Sequence, residues 1–286
     1  MQDPKHAVIV SMDGRLMRGG RATLSIDDWG FRYGWGAFET IRVSQGRPVF
    51  LSRHLERLSN GARALLLSGK DAESQWWRDA ILRALAHADW DEGVLNLYWT
   101  RGEAPAFRGR RIICLRPRLP RQRGEGRIWL APWRIGPGVP GIGVKTLAYL
   151  PYTFTNICAR AADFTDAVMV NWHNRIADGA LASVFLIRRG EVLTPPTSEG
   201  ALLGITRGVV LELARNLGIE AHVTPLPIRR LYASDGVFMT SVLRGVRAVR
   251  QVNDHPVSMT NDAKDVFARL TVAYRRAIAQ DIAAFR

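Results

Sequence analysis

Residues 116–126 (RPRLPRQRGEG) hold four arginines, two prolines, two glycines and a single aliphatic residue. Such a run cannot supply the apolar stripe of a buried helix or strand. Proline also removes a backbone donor, and glycine loosens the chain. The segment therefore divides the 286 residues into two stretches, each long enough for a domain. We expect a smaller N-terminal domain over residues 1–118, a linker over 119–126 and a larger C-terminal domain over 127–286.

On either side of the break, apolar residues follow both regular periods. Residues 7–11 are an apolar run, and 40–43 and 47–51 flank Ser44-Gln45-Gly46, a hairpin signal. From Ser52 the spacing changes, so that Leu55, Leu58, Ala62, Leu65 and Leu66 share a helical face. A second helix is predicted over 76–87, and core strands over 94–100 and 111–115. Beyond the break come a strand over 127–131, the breaker-rich 136–143, a helix over 152–163 and a strand over 167–171. Residues 183–187 and 191–193 predict a hairpin about Arg188-Arg189-Gly190. Residues 206–217 predict a helix closed by Gly218, with Val209, Val210, Leu213 and Leu217 on one face. Strands over 236–240 and 246–252 precede a terminal helix over 263–284. The order gives an α+β protein of two domains, with mixed sheets and flanking helices in each.

Composition narrows the function. With 47% apolar and 23% charged residues, the chain is globular rather than disordered. Two cysteines, Cys114 and Cys158, make neither a disulfide framework nor a four-thiolate metal site, and the six histidines lack metal-ligand spacing, so no metal is expected. No run approaches eighteen apolar residues, and the first residues lack the basic flank and apolar core of a secretion signal. A soluble, cytoplasmic protein is expected. The net charge of +14 comes almost wholly from arginine, since only four of the forty basic residues are lysines. Clusters at Arg108, Arg110 and Arg111, at Arg116, Arg118, Arg121 and Arg123, and at Arg229 and Arg230 would attract anions. No zinc-finger spacing, basic zipper or RNP-like aromatic motif accompanies them, so a solvated surface is the first reading and nucleic acid the second.

Three places carry chemistry. Lys145 sits in the apolar stretch IGVKTLAYL, where a desolvated amine would be nucleophilic and suited to a Schiff base; a strand-end lysine reaching back to water fits the same residues. The turn LLGITR (202–207) leads into a helix with Thr206 near its N-cap, which is either a phosphate seat or an ordinary cap. Arg57, in HLERL, is either a third phosphate ligand or a surface arginine. Gly34-Trp35-Gly36 lacks the third spaced glycine of a dinucleotide loop, and Asp27 and Asp28 read as turn caps.

In order along the chain, DDWGFRYGWGAFETI (27–41), HLERL (54–58), KTLAYL (145–150), LGITR (203–207) and DGVFMT (235–240) resemble the motifs of the fold-type IV pyridoxal-phosphate enzymes. That family includes branched-chain and D-amino-acid aminotransferases and aminodeoxychorismate lyase. The resemblance runs from about Ile26 to Asn253. It implies that Lys145 holds pyridoxal 5'-phosphate as an internal aldimine and moves the proton between the substrate Cα and the cofactor C4′. Arg57, Ile205 and Thr206 would hold the phosphate, with Ser241 and Val242 beside it. Tyr149 would bond the phenolic oxygen, Tyr33 and Phe38 would line the substrate pocket, and the fold would be a homodimer.

The departures from the pattern are specific. Asp178, in RIADG, stands where the family has a glutamate bonded to the pyridine nitrogen, and it reaches that atom only through a closer approach or a bridging water. Ser183 replaces the usual asparagine, and Val242 stands where a hydroxyl donor is common. The loop RGEAPAFR (101–108) is similar to the carboxylate-capturing loop of D-amino-acid aminotransferases, with the arginine lost near Ala106 and Arg108 as its substitute. The resemblance implies transamination from an amino donor to a keto acid. The lyase reaction, giving 4-aminobenzoate and pyruvate, is the alternative, and a catalytically altered or nucleic-acid-binding member is the third.

Overall fold

Residues 8–67, 73–118 and 126–285 are described by the structure, a computed structural model. Of the expected linker at 119–126, residues 119–125, with Arg121 and Arg123, lie outside the described residues. Contacts divide the chain into two units. The first contains the described residues up to 118, together with Val144–Tyr149 and the chain from Ile278 on; the second contains the described residues up to Gly143 and then Leu150–Ala277. Lys145, expected in the C-terminal domain, is thus packed with the first unit.

In the first unit, β1 (Ile9–Met12), β2 (Arg15–Arg18), β3 (Gly36–Ser44), β4 (Arg47–Pro48), β5 (Gly93–Thr100) and β6 (Arg111–Pro117) form one sheet in the order β2-β1-β6-β5-β3-β4. Every pairing is antiparallel, so the mixed sheet expected here is not found. Helices α2 (Leu51–Ala64) and α3 (Glu73–Leu85) cover one face. Ala37, Ile41 and Val43 alternate into that core against Leu55, Leu58, Trp77 and Ile81. The strand predicted over 47–51 ends at Pro48 and gives way to α2, because Phe50 takes a left-handed conformation as the helix N-cap. Asp28 caps the short α1 (Trp29–Tyr33), accepting from the Gly30 N–H at 2.7 Å.

The second unit has two five-stranded sheets, and both contain parallel pairs. One joins β7 (Arg127–Ile135), β8 (Asp166–Asn171), β9 (Ile176–Gly179), β15 (Gln251–Val252) and β16 (His255–Pro256). The other joins β10 (Ser183–Arg188), β11 (Glu191–Thr194), β12 (Ala221–Val223), β13 (Gly236–Ser241) and β14 (Gly245–Val249). Side-chain alternation builds four layers. Val184 and Leu186 of β10 face the core shared with Val168 and Ile176 of the other sheet. Phe185 and Ile187 face outward, against α5 (Ile205–Asn216) and α7 (Asn261–Ala284), meeting Val210 and Leu270. On the opposite side, Ala167 and Met169 pack with Ala159 of α4 (Leu150–Ala161). Strands covered on both faces read as continuous apolar runs, which is why 183–187 and 236–240 were legible. Strand β9 and the short α6 (Arg229–Tyr232) were not predicted.

The rings of Phe185 and Phe238 stack at 4.8 Å, and both are fully buried. Phe238→Ala is expected to lower unfolding free energy by about 3–5 kcal/mol, measured by urea denaturation.

Candidate functional site

Lys145 is held at the sheet edge by backbone. The Phe38 N–H donates to the Lys145 carbonyl at 2.9 Å, the Leu147 N–H donates to the Gly36 carbonyl at 2.8 Å, and Ala37 bridges Thr146. This approach needs both glycines of the Gly34-Trp35-Gly36 motif. A Cβ on Gly36 would stand 2.5 Å from the Trp99 carbonyl oxygen and from Leu147 Cδ1. Gly34 has φ +66°, and a Cβ there would stand 2.8 Å from the Ala148 Cα. The half-buried Lys145 places Nζ 4.2 Å from the centre of the Phe38 ring and 4.7 Å from that of Tyr149, and these two rings meet edge to face at 5.0 Å. Lys145, Phe38 and Tyr149 are thus brought together.

Arg57 comes from α2, aimed by residues the sequence reading passed over. Glu39 is fully buried on the core side of β3. Arg57 donates Nε to Glu39 Oε1 and Nη2 to Oε2, both at 2.7 Å. His54, one helical turn earlier, places Nδ1 2.7 Å from Glu39 Oε2. Burial raises the Glu39 carboxyl, but the Arg57 charge and then His54 outweigh it and hold the group at about 2. Burial pushes His54 down more than Glu39 lifts it, so the ring is neutral and its Nδ1–H donates. His54 Nε2 is buried and has no hydrogen-bond partner among the described residues. The available signal was a glutamate at a core-facing position of a strand, opposite a helical His-x-x-Arg.

Tyr33 and Arg108 do not join these groups in the same way. Tyr33 is exposed and packs edge to face on Trp29 at 5.3 Å, and Trp29 in turn meets Phe107 at 4.8 Å. Arg108 follows Phe107 in the loop and is exposed. Arg101 is the loop arginine drawn inward: its guanidinium lies 4.5 Å from the Phe107 ring centre, and its Nε is buried without a hydrogen-bond partner among the described residues.

In the second unit, Asp178 lies buried on β9. Its Oδ2 accepts from the Leu202 N–H at 2.9 Å and its Oδ1 from the Gly179 N–H at 3.0 Å. Burial pushes the carboxyl up to about 7, against those two bonds and the more distant Arg207 charge. Burial, then Asp178, pushes the Tyr152 hydroxyl up to about 12. Two residues after Leu202, Gly204 begins α5 with no side-chain cap, so the N–H groups of its first turn, Ile205 and Thr206 among them, point outward. A Cβ on Gly204 would stand 2.8 Å from Ser183 Oγ. Ser183 pairs with Thr240, whose buried hydroxyl has no hydrogen-bond partner among the described residues. Ser241 and Val242, half-buried, follow directly. The structure therefore gathers Ser183, Ile205 and Thr206 with the end of β13, and adds Thr240 and the buried Arg207 to the residues foreseen. Arg207 bonds the Pro195 carbonyl at 2.9 Å.

Among the described residues no cation makes an ion pair with Asp178, and no side chain caps the start of α5. Each unit by itself carries groups suited to amino-group chemistry: an amine beside two aromatic rings in the first, and a buried carboxylate next to an uncapped helix start in the second. The "Amino-transferase class IV" family model matches residues 36–252, and the chain belongs to that family, a family of pyridoxal-phosphate enzymes. It is 26% identical, over 93% of its length and 98% of the relative's, to the bifunctional aminodeoxychorismate lyase / D-amino acid transaminase of Mycobacterium tuberculosis. Among solved structures, the 4-amino-4-deoxychorismate lyase of Pseudomonas aeruginosa is similar at a TM-score of 0.79 and 27% identity, covering 91% of this chain and 97% of that one. The branched-chain aminotransferase of Escherichia coli shares the fold at a TM-score of 0.86 and 22% identity, covering 96% and 95%. The expectations of a fold-type IV α+β protein and of a transaminase or lyase are met. No described helix is long and apolar enough to cross a membrane.

Two variants test these geometries. Glu39→Gln leaves Arg57 facing a neutral partner and is expected to lower unfolding free energy by about 3 kcal/mol at neutral pH. The folded value lies below the unfolded one, so the stabilisation is present above 4.5 and fades as pH falls towards 2. Denaturation curves of the two proteins should therefore converge in acid. For Asp178 the sign is opposite: its folded value lies above 3.8, so its contribution is full below that pH and disappears as pH rises through about 7. Cofactor-free protein should lose stability over this window, and Asp178→Asn should flatten the curve.

Proposed function

We propose that the chain is a pyridoxal 5'-phosphate-dependent aminotransferase that moves an amino group from an amino acid or amine to a keto acid. The observation that carries the reading is the buried Asp178, without an ion pair among the described residues, bonded to the backbone of the turn whose far end is the uncapped N-terminus of α5. When bound, the cofactor supplies an electron sink that stabilises negative charge at the substrate Cα. Asp178 carries negative charge to the pyridine nitrogen; any cation there lowers its carboxyl from about 7 and keeps it ionised. The N–H groups of Ile205 and Thr206 hold the phosphate, with Ser241 and the turn at Val242 alongside and Arg57, locked by Glu39, adding a charge-assisted bond. Tyr149 donates to the phenolic oxygen and packs with Phe38 beside the Lys145 amine. Lys145 would hold the cofactor through its amine and would carry the proton at the substrate Cα. Phe38 and Tyr33 line the substrate side, and Arg108 offers a charge to the substrate carboxylate.

The same apparatus serves 4-amino-4-deoxychorismate lyase chemistry, in which a different bond breaks after the same proton leaves. The bifunctional relative and the KTLAYLPY segment (145–152) support this second reading. A cytoplasmic homodimer is part of the proposal; the exposed Ile26, Phe31 and Tyr33 give the first unit an apolar surface for a second copy.

Purified protein mixed with pyridoxal phosphate should show a visible absorbance band that borohydride fixes onto Lys145, and Lys145→Ala should show none. Keto-acid-dependent consumption of an amino donor identifies the transaminase, whereas 4-aminobenzoate and pyruvate from aminodeoxychorismate identify the lyase. A protein without a Lys145-dependent adduct overturns both.

A further inference from the structure

Thr165 and Asp166, where β8 begins, are met by three arginines that the proposed chemistry does not use. Arg244, in the turn between β13 and β14, donates Nη1 to the Thr165 carbonyl at 2.8 Å and lies 3.6 Å from Asp166 Oδ2. Arg247 of β14 reaches the Thr165 hydroxyl with Nη2 at 3.5 Å. Arg160, in the last turn of α4, donates Nε to Asn156 Oδ1 at 3.2 Å, and Asn156 Nδ2 lies 3.5 Å from Asp166 Oδ1. Asp166 is buried, Arg244 and Arg247 are half-buried and Arg160 is exposed.

The guanidiniums of Arg244 and Arg247 thus act on a single carboxylate, and that of Arg160 is joined to it through Asn156, in a partly desolvated corner of one unit. Burial lowers the pKa of both Arg244 and Arg247; Arg247 and Arg160 lower Arg244 further, and Arg160 lowers Arg247, so the cations repel one another with Asp166 as their counter-charge. Fully ionised, the three arginines and Asp166 together carry a net charge of +2. A univalent carboxylate cannot balance this charge, whereas a multivalent oxyanion can, and each guanidinium presents five N–H donors in a fork matched to such oxygens. We infer that Arg160, Arg244 and Arg247 form a binding site for a small multivalent oxyanion of the phosphate class.

Calorimetric titration of the pyridoxal-phosphate-loaded protein with inorganic phosphate at low salt tests the site, because the cofactor already fills its own phosphate seat. We expect saturable binding of one phosphate per chain, with equal ionic strength of chloride failing to compete. Arg244→Gln/Arg247→Gln should bind at least tenfold more weakly while keeping the cofactor absorbance. Should that double variant fail to fold, Arg160→Gln, altered at the exposed member, should still bind at least threefold more weakly. No saturable phosphate binding, or binding unchanged in the folded variants, overturns the inference.

Discussion

Two backbone hydrogen bonds, Phe38 N–H to the Lys145 carbonyl and Leu147 N–H to the Gly36 carbonyl, attach a six-residue segment to a sheet made from a distant part of the chain. The position of the amine depends on them, and they in turn depend on the absence of side chains at Gly34 and Gly36. Phe38 then supplies the ring beside Nζ because it occupies the strand face opposite Glu39. One strand thus serves both sides: its odd residues build the core and hold Arg57, and Phe38 on its even face meets the lysine.

Two of the buried carboxylates, Glu39 and Asp178, show how far environment sets chemistry. Glu39 has a bidentate arginine and a histidine N–H, and is held at about 2. Asp178 has two backbone N–H donors and, among the described residues, no ion pair, and burial pushes it up to about 7. Both lie out of water, so desolvation acts on each in the same direction, and the neighbouring charges decide between them. The first is complete within the protein. The second is completed only by a ligand, which is the physical content of placing it against a pyridine nitrogen.

Much of this was legible in the sequence. The helices with one apolar stripe, α2 and α5, and the doubly buried strands β10 and β13 carry their periods plainly. Lys145, Arg57 and Thr206 stood out because motifs in a fixed order flag them. Strand β9 did not, since Ile-Ala-Asp-Gly has little strand preference and takes its conformation from pairing with β8. Glu39 and His54 were passed over because a charge inside a strand and a histidine inside a helix have no period of their own; only the partner that satisfies them gives them meaning. The allegiance of 144–149 was hidden for a related reason: hydrogen bonding to a distant strand leaves no mark on local spacing.

The layering also sets how readily each part of the chain opens. Amides of Leu186 and Ile187 lie in a strand paired on both sides and covered by apolar layers on both faces, so they exchange with solvent only when the whole second unit comes apart. The Leu147 amide sits in a short strip pinned at a sheet edge, and releasing the strip exposes little core. The segment bearing the amine is therefore among the easiest to peel back without melting the fold, and slow global unfolding coexists with fast local breathing around Lys145.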